Sequence, residues 1–305
     1  MTTALHRRSE RARRPKALHT SRLAVLLVTP AIVLLLAFTV APTIYALVLS
    51  FLQKKVSGGL LGGETTQVFV GFENYLTSLG DGEFWASIAR MLLVAVIGVP
   101  ATVIFAALFA LCLDAKGSKL SGAARLIIFL PYAVPGVIAS LLWGFLYLPA
   151  TSPIGGAAID YFGSREIFFS VANIAVWGVV GFNMVILYTA IRGLPQEIYD
   201  AASLDGASEL QIALRIKLPM IKPALVLVTL FSVLGSLQLY NEPTTLRPLA
   251  NAITSTWVPL MDVYNEAFVN NNIYQGAASS LIIVVLTVSA TLLVQVAGSR
   301  IGRTR

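Results

Sequence analysis

The chain has 305 residues, 56% of them hydrophobic and 12% charged, with a formal net charge of +7 and a mean hydropathy of +0.78. So few charges cannot cover a soluble globule of this size, which excludes a water-soluble enzyme or binding module and predicts an all-α polytopic membrane protein with lipid as part of its solvent. Residues 1–22 hold Arg7, Arg8, Arg11, Arg13, Arg14, Lys16 and Arg22 with little apolar content and no periodicity. They read as a disordered basic tail near anionic lipid. No nucleic-acid partner is expected, because nothing aromatic or folded accompanies the arginines.

Six apolar stretches follow, at 23–49, 88–113, 126–146, 171–191, 224–240 and 277–296, with a short tail at 300–305. Each stretch can cross a hydrocarbon core of about 30 Å as a helix, the form in which one segment satisfies its own backbone groups. The first is too long for a signal peptide, is interrupted by Pro30 and Pro42 and has no convincing cleavage site, so it is expected to be retained. Cys112, the single cysteine, cannot form an internal disulfide and serves packing. With both termini in the cytoplasm, 17 Lys and Arg fall on the inner side and five (Lys54, Lys55, Arg90, Arg165, Arg247) on the outer, the asymmetry expected of that orientation.

The loop at about 192–222, between the fourth and fifth stretches, is polar and cytoplasmic in that arrangement. Pro195 suits a helix start, Gln196 to Leu204 contain no breaker, and Asp205-Gly206 stops the helix because glycine accepts the left-handed conformation. Ser208-x-x-Gln211 has capping-box spacing, which predicts a second helix over 209–217 ended by Pro219, with Pro223 opening the next span.

What is missing also discriminates. No ionisable residue is expected near the middle of a span, where secondary transporters hold their coupling ion. No phosphate-cradling Gly-x-x-x-x-Gly-Lys-Ser/Thr loop exists, so this chain binds no nucleotide by that route and its energy comes from a partner. His6 and His19 both lie in the tail and no Cys/His cluster or nucleophile set assembles, so neither a metal site nor catalysis is expected. Uncharged polar groups do occur in the spans. Thr229, Ser232, Ser236 and Tyr240 share a helix face, with Gln238 and Asn241 beside it, Asn183 mid-span, Trp143 in the third span, and Gln275, Ser279 and Ser280 in the sixth. For the amides, helix–helix bonding and a solute path are both open readings.

Asp200-Ala201-Ala202, three residues, Gly206, nine residues and Ile216-Lys217-Leu218-Pro219 resemble the coupling loop of ABC importer permeases, with Asp200 where that family carries Glu. Phe69-Val70-Gly71-Phe72-Glu73-Asn74-Tyr75, after the Gly-rich link at 58–63, is similar to the element following the first span of carbohydrate-type permeases. Gln238 to Pro243, with Tyr264-Asn265-x-Ala267-Phe268 beyond, resembles the last external loop of sugar permeases in the maltose-transporter superfamily. The large insertion of the enterobacterial maltose permease is absent. The resemblance covers about 23–296 and implies a type I importer permease that takes up a di- or oligosaccharide through a prokaryotic cell membrane. It implies a second homologous permease subunit, an ATP-binding subunit dimer carrying ATP and Mg, and an extracellular solute-binding protein; this chain itself holds no cofactor. The expected ATPase contacts are Glu197, Asp200, Ala201, Ala202, Asp205, Gly206, Ile216, Leu218 and Pro219. The solute-path candidates are Trp143, Asn183, Gln238, Tyr240, Asn241 and Ser279. The alternatives are an importer of glycerol phosphate, polyamine or peptide, a secondary transporter, and a structural membrane protein. No basic pocket for phosphate is evident in the spans.

Overall fold

The structure is a computed structural model that describes residues 22–57, 64–115, 121–153 and 158–303. The basic tail before Arg22 and the Gly-rich link at 58–63 lie outside the described residues. The chain forms two units, residues 1–46 and 47–305.

In the first unit the described residues are helical: α1 (Arg22–Leu35), a π-helical turn (Leu36–Val40) and most of α2 (Ala41–Ser50). Pro42 cannot supply an N–H, and the wider turn before it, closed by the Ala41 N–H on the Leu36 carbonyl, carries the helix past the gap. Its side chains are outward and apolar, with Leu27 71% and Phe38 76% exposed, as a helix bathed in lipid requires.

The second unit begins with the end of α2 and an antiparallel hairpin that the sequence reading did not foresee: β1 (Leu52–Ser57) and β2 (Glu64–Phe69), in register Leu52↔Phe69. The Phe-Val-Gly element has a mechanical role here. Gly71 turns the chain at φ +61° into α3 (Glu73–Gly80), and Asn74 donates to the Ser50 and Leu52 carbonyls at 2.9 and 2.8 Å, closing the open end of α2. Tyr75 adds a hydroxyl contact of 2.6 Å to Ser50.

The centre of the unit is the pair α4 (Gly82–Asp114) and α7 (Glu166–Arg192), packed along their lengths. Asp81 caps α4 by accepting from the Glu83 N–H at 2.9 Å. One core cluster joins Phe84, Ile88 and Met91 of α4 to Ile167, Val171 and Ile174 of α7 and to Trp257 and Val258. A second joins Ala106, Ala110 and Leu113 to Met184, Leu187, Ile191 and Val228. α5 (Ser121–Phe129) crosses α7 so closely at Gly181 that a Cβ there would overlap the Ile128 carbonyl.

Among the described residues four helices are long and apolar enough to cross a membrane, and counting each of two bent pairs as one span raises this to six. The bends correct the expected third and fifth spans. α5 and the 3₁₀ turn Leu130–Ala133 meet α6 (Gly136–Leu146) at 99°, because Val134 precedes Pro135 and is driven extended (φ −82°, ψ 124°). After α8 (Gln196–Leu204), α9 (Glu209–Ile212) continues through a π-helical turn (Ala213–Lys217) and α10 (Leu218–Met220), and meets α11 (Lys222–Leu237) at 73°. Pro219 therefore does not end the second loop helix as expected. The π turn, closed by the Leu218 N–H on the Ala213 carbonyl, carries the helix past Pro219, and Ile221 makes the break. α11 stops at Leu237, before Tyr240. The short α12 (Asn241–Leu246) and α13 (Pro259–Tyr264) precede α14, which runs Ile273–Arg303, through part of the expected 300–305 tail.

Candidate functional site

A cavity of about 390 Å³ opens between α4, α6, α7, α11 and α12. Of the solute-path candidates only Asn183 lines it. Asn183 is 2% exposed; its Nδ2 donates to Ser232 Oγ at 3.2 Å, and Ser232 in turn donates to the Val228 carbonyl at 2.8 Å. Asn183 Oδ1 is buried with no partner. A buried amide oxygen left that way costs free energy in the structure as it stands. Tyr132 stacks on Phe182 at 4.7 Å between centroids, and Phe182 lies 6.3 Å from Phe231; all three rings line the cavity. Sequence reading missed these aromatics, because their apolar faces look like any other span residue until the bend at Pro135 sets Tyr132 opposite α7.

The other solute-path candidates lie elsewhere. Trp143 packs against Trp177 and Tyr147 at the end of α6 and lines a separate recess of about 360 Å³, its Nε1 buried without a partner. Gln238 is the exposed C-cap of α11, and Tyr240 meets Tyr264 at 6.2 Å. Asn241, also exposed, sits beside Gly136. Ser279 is 2% exposed and shares a 2.9 Å hydroxyl contact with Ser78, which also accepts from Gln275 Nε2 at 2.7 Å. Ser279 thus fastens α14 to α3.

The glycine turn and the capping box of the loop form as expected, unlike the stop at Pro219. α8 ends in a Schellman motif: the Ala207 N–H donates to the Ala202 carbonyl at 2.9 Å and the Gly206 N–H to the Ser203 carbonyl at 3.1 Å, with Gly206 at φ +84°. Ser208 and Gln211 make both bonds of the capping box, at 3.3 and 2.8 Å. Glu197, Asp200, Ala201 and Asp205 are exposed, and among the described residues none of these acids has an ion pair. Ala202, Ile216, Leu218 and Pro219 are half-buried. Leu204 is 89% exposed and Leu210 67%, apolar side chains set beside those acids.

Charge at the base of this loop was not foreseen as a unit. Lys217 Nζ lies 2.6 Å from Asp114 Oδ2 at the end of α4, their side chains 9% and 7% exposed, and Arg192 at the end of α7 stands 3.7 Å from Asp114. The same Lys217 ammonium lies 4.9 Å over the Tyr199 ring of α8. Burial, with the Asp114 carboxylate nearby, raises the Tyr199 phenol, which stays neutral. One lysine therefore joins α8, the π turn and α4.

Asp262 in α13 is 5% exposed. Burial pushes its carboxyl up to about 6, reinforced by Asp81, Glu266 and Glu83 and opposed by Arg90. A carboxyl raised on folding costs nothing below its unfolded value and destabilises as pH rises through 6, here by about 3 kcal/mol once ionised. Asp262→Asn should therefore leave the thermal midpoint nearly unchanged at pH 3, below the unfolded value of 3.8, and raise it at pH 8; equal midpoints at pH 8 would contradict this.

Residues 79–303 match the family described as binding-protein-dependent transport system inner membrane component. The chain belongs to that family. The permease is 29% identical over 275 residues to the osmoprotective compounds uptake permease protein GgtC of Synechocystis, covering 86% of this chain and 93% of the relative. It is also 29% identical over 269 residues to the trehalose transport system permease protein SugA of Mycobacterium tuberculosis, covering 86% and 84%. In fold it is similar to a chain of a bacterial alginate ABC transporter crystallised with an alginate pentasaccharide-bound periplasmic protein: TM-score 0.74, 19% identity, 93% of this chain and 96% of that one covered. The permease is thus a membrane component of a transport system, with the fold of ABC importers.

Proposed function

We propose that the permease carries a di- or oligosaccharide across a prokaryotic inner membrane, with both termini and the 192–222 loop on the cytoplasmic side. The observation that carries this is the cavity itself: an amide and several hydroxyl residues beside a run of aromatic rings, the chemistry that replaces water around a sugar. The trehalose named for one relative points the same way. The complex holds a second permease, a pair of ATP-binding subunits that hydrolyse ATP, and an extracellular binding protein that delivers the solute. Pro195-started α8 and the turn at Gly206 form the element that seats in the ATPase. The exposed Leu204 and Leu210 supply an apolar anchor, and Glu197, Asp200 and Asp205 meet basic groups of that partner.

The test is uptake of radiolabelled trehalose, sucrose and maltose by proteoliposomes holding the full complex with its binding protein. Uptake of at least one, dependent on ATP, is the expected result; uptake of none overturns the sugar reading. Asn183→Leu replaces an amide by an apolar group of similar size and should slow that uptake by about tenfold, the equivalent of one lost hydrogen bond to a polar solute. Gln238→Leu, outside the cavity, should leave it within about twofold.

A further inference from the structure

The cavity has a charge asymmetry that bears on which sugars it admits; the inference rests on reading that cavity as the solute path. Its polar lining consists of Thr102, Tyr132, Asn183, Ser232, Ser236 and Glu242, and no Lys, Arg or His is among the lining residues. Glu242 stands in the first turn of α12, which lies outside the spans, and it reaches the cavity where the third span bends. It stands beside Gly136 at the start of α6: a Cβ there would meet Glu242 Oε1 at 3.9 Å and Asn241 Nδ2 at 3.8 Å, ordinary contact distances. Among the described residues no basic group pairs with Glu242. Burial raises its carboxyl, opposed by its own backbone N–H.

We propose that Glu242 is the specificity-determining residue of the cavity and restricts it to uncharged polyhydroxylated solutes, excluding phosphorylated, sulfonated and uronic sugars. A carboxylate accepts two hydroxyl hydrogens of a vicinal diol, and charge-assisted bonds of this kind are the stronger ones. Ser232, Ser236 and Asn183 add uncharged polar groups to the lining, and the Tyr132, Phe182 and Phe231 rings offer apolar faces to the C–H side of a pyranose. An anionic sugar keeps those hydroxyl and ring contacts, but its charge gains nothing from them. It leaves water for a site with no counter-charge, facing a group that repels it when ionised and still offers no cation when protonated. A polyamine would meet a single carboxylate among aromatic rings and leave its remaining ammonium groups unpaired. The acid that the sequence reading placed in an external loop is thus the charge that faces the path.

The experiment is carbodiimide labelling of Glu242 in the full complex in nanodiscs, followed by mass spectrometry of the peptide. Trehalose, sucrose and maltose, added together at high millimolar concentration, should slow labelling by about tenfold. sn-Glycerol 3-phosphate, digalacturonate and spermidine at the same concentration should not. Protection by either anion, by spermidine, or by nothing overturns the assignment. Labelling read directly at the cavity bypasses the selectivity of the binding protein. In parallel, Glu242→Gln should lower neutral sugar uptake by about tenfold and Glu242→Lys should abolish it, with assembly checked by co-purification of the ATPase. Trehalose-class uptake that depends on Asn183 but is indifferent to Glu242→Gln leaves the solute path standing and removes the charge assignment alone. Indifference to both substitutions removes both.

Discussion

Lys217→Met should cost the permease about 3–5 kcal/mol, the penalty for leaving one member of a buried ion pair without its partner. Asp114 would keep only Arg192, at 3.7 Å and with a side chain 62% exposed, in place of an ammonium at 2.6 Å. The same substitution removes the cation over Tyr199, so α8 loses its tie to the span ends as well. Amide hydrogen exchange should rise across 196–212 before the α4–α7 core opens, because those helices hold few buried apolar side chains of their own beyond Tyr199 and Ile212. Asp114→Leu combined with Lys217→Met should recover most of the loss, since a pair replaced by apolar groups leaves no charge uncompensated. Transport is the second readout. If the pair also transmits motion, the double variant regains stability but not solute-stimulated ATP hydrolysis; if the pair is only structural, both return. A Lys217→Met variant with wild-type melting and wild-type exchange would show that the pair holds nothing.

Gly206→Val has the second-largest expected effect, and its origin is conformational. Nothing lies within 4 Å of where a Cβ at Gly206 would stand, so there is space for a side chain, but φ is +84°, which β-branched residues avoid at a cost of about 1–2 kcal/mol or more. The Schellman bonds from Ala207 and Gly206 need that dihedral, and without it α8 and α9 change their angle. The permease should still assemble, with solute-stimulated ATP hydrolysis and vesicle uptake both falling by about tenfold. Because space is open and only φ is demanding, Gly206→Asn should retain more function than Gly206→Ala although Asn is larger. Equal function for Ala and Asn, or a Val variant that transports normally, would mean that the loop is a passive connection.

The two predictions differ in how visible their residues were. Gly206, Pro195, Ser208 and Gln211 act within a few positions of one another, where helix starts, stops and caps obey local backbone rules, and the sequence alone placed all four. It also established the membrane class, since 12% charge cannot be reconciled with a water-facing surface. The bends were harder to read. Pro131, Pro135 and Pro219 are plain in the chain, but hydropathy scores a broken segment and a straight one alike, and at Pro219 the π turn moved the break to Ile221. Long-range pairings lay beyond it altogether. Asp114 and Lys217 are 103 residues apart and Ser78 and Ser279 are 201 apart, so no periodicity connects them. Asn183, Gln238 and Asn241 carry the same amide, yet only the packing of α7 on α11 aims one of them into the cavity while the other two face outward past the end of α11. Sequence determined what the polar groups are and the local turns that hold them; the crossing of bent helices decided which face a solute, because that depends on contacts between segments far apart in the chain.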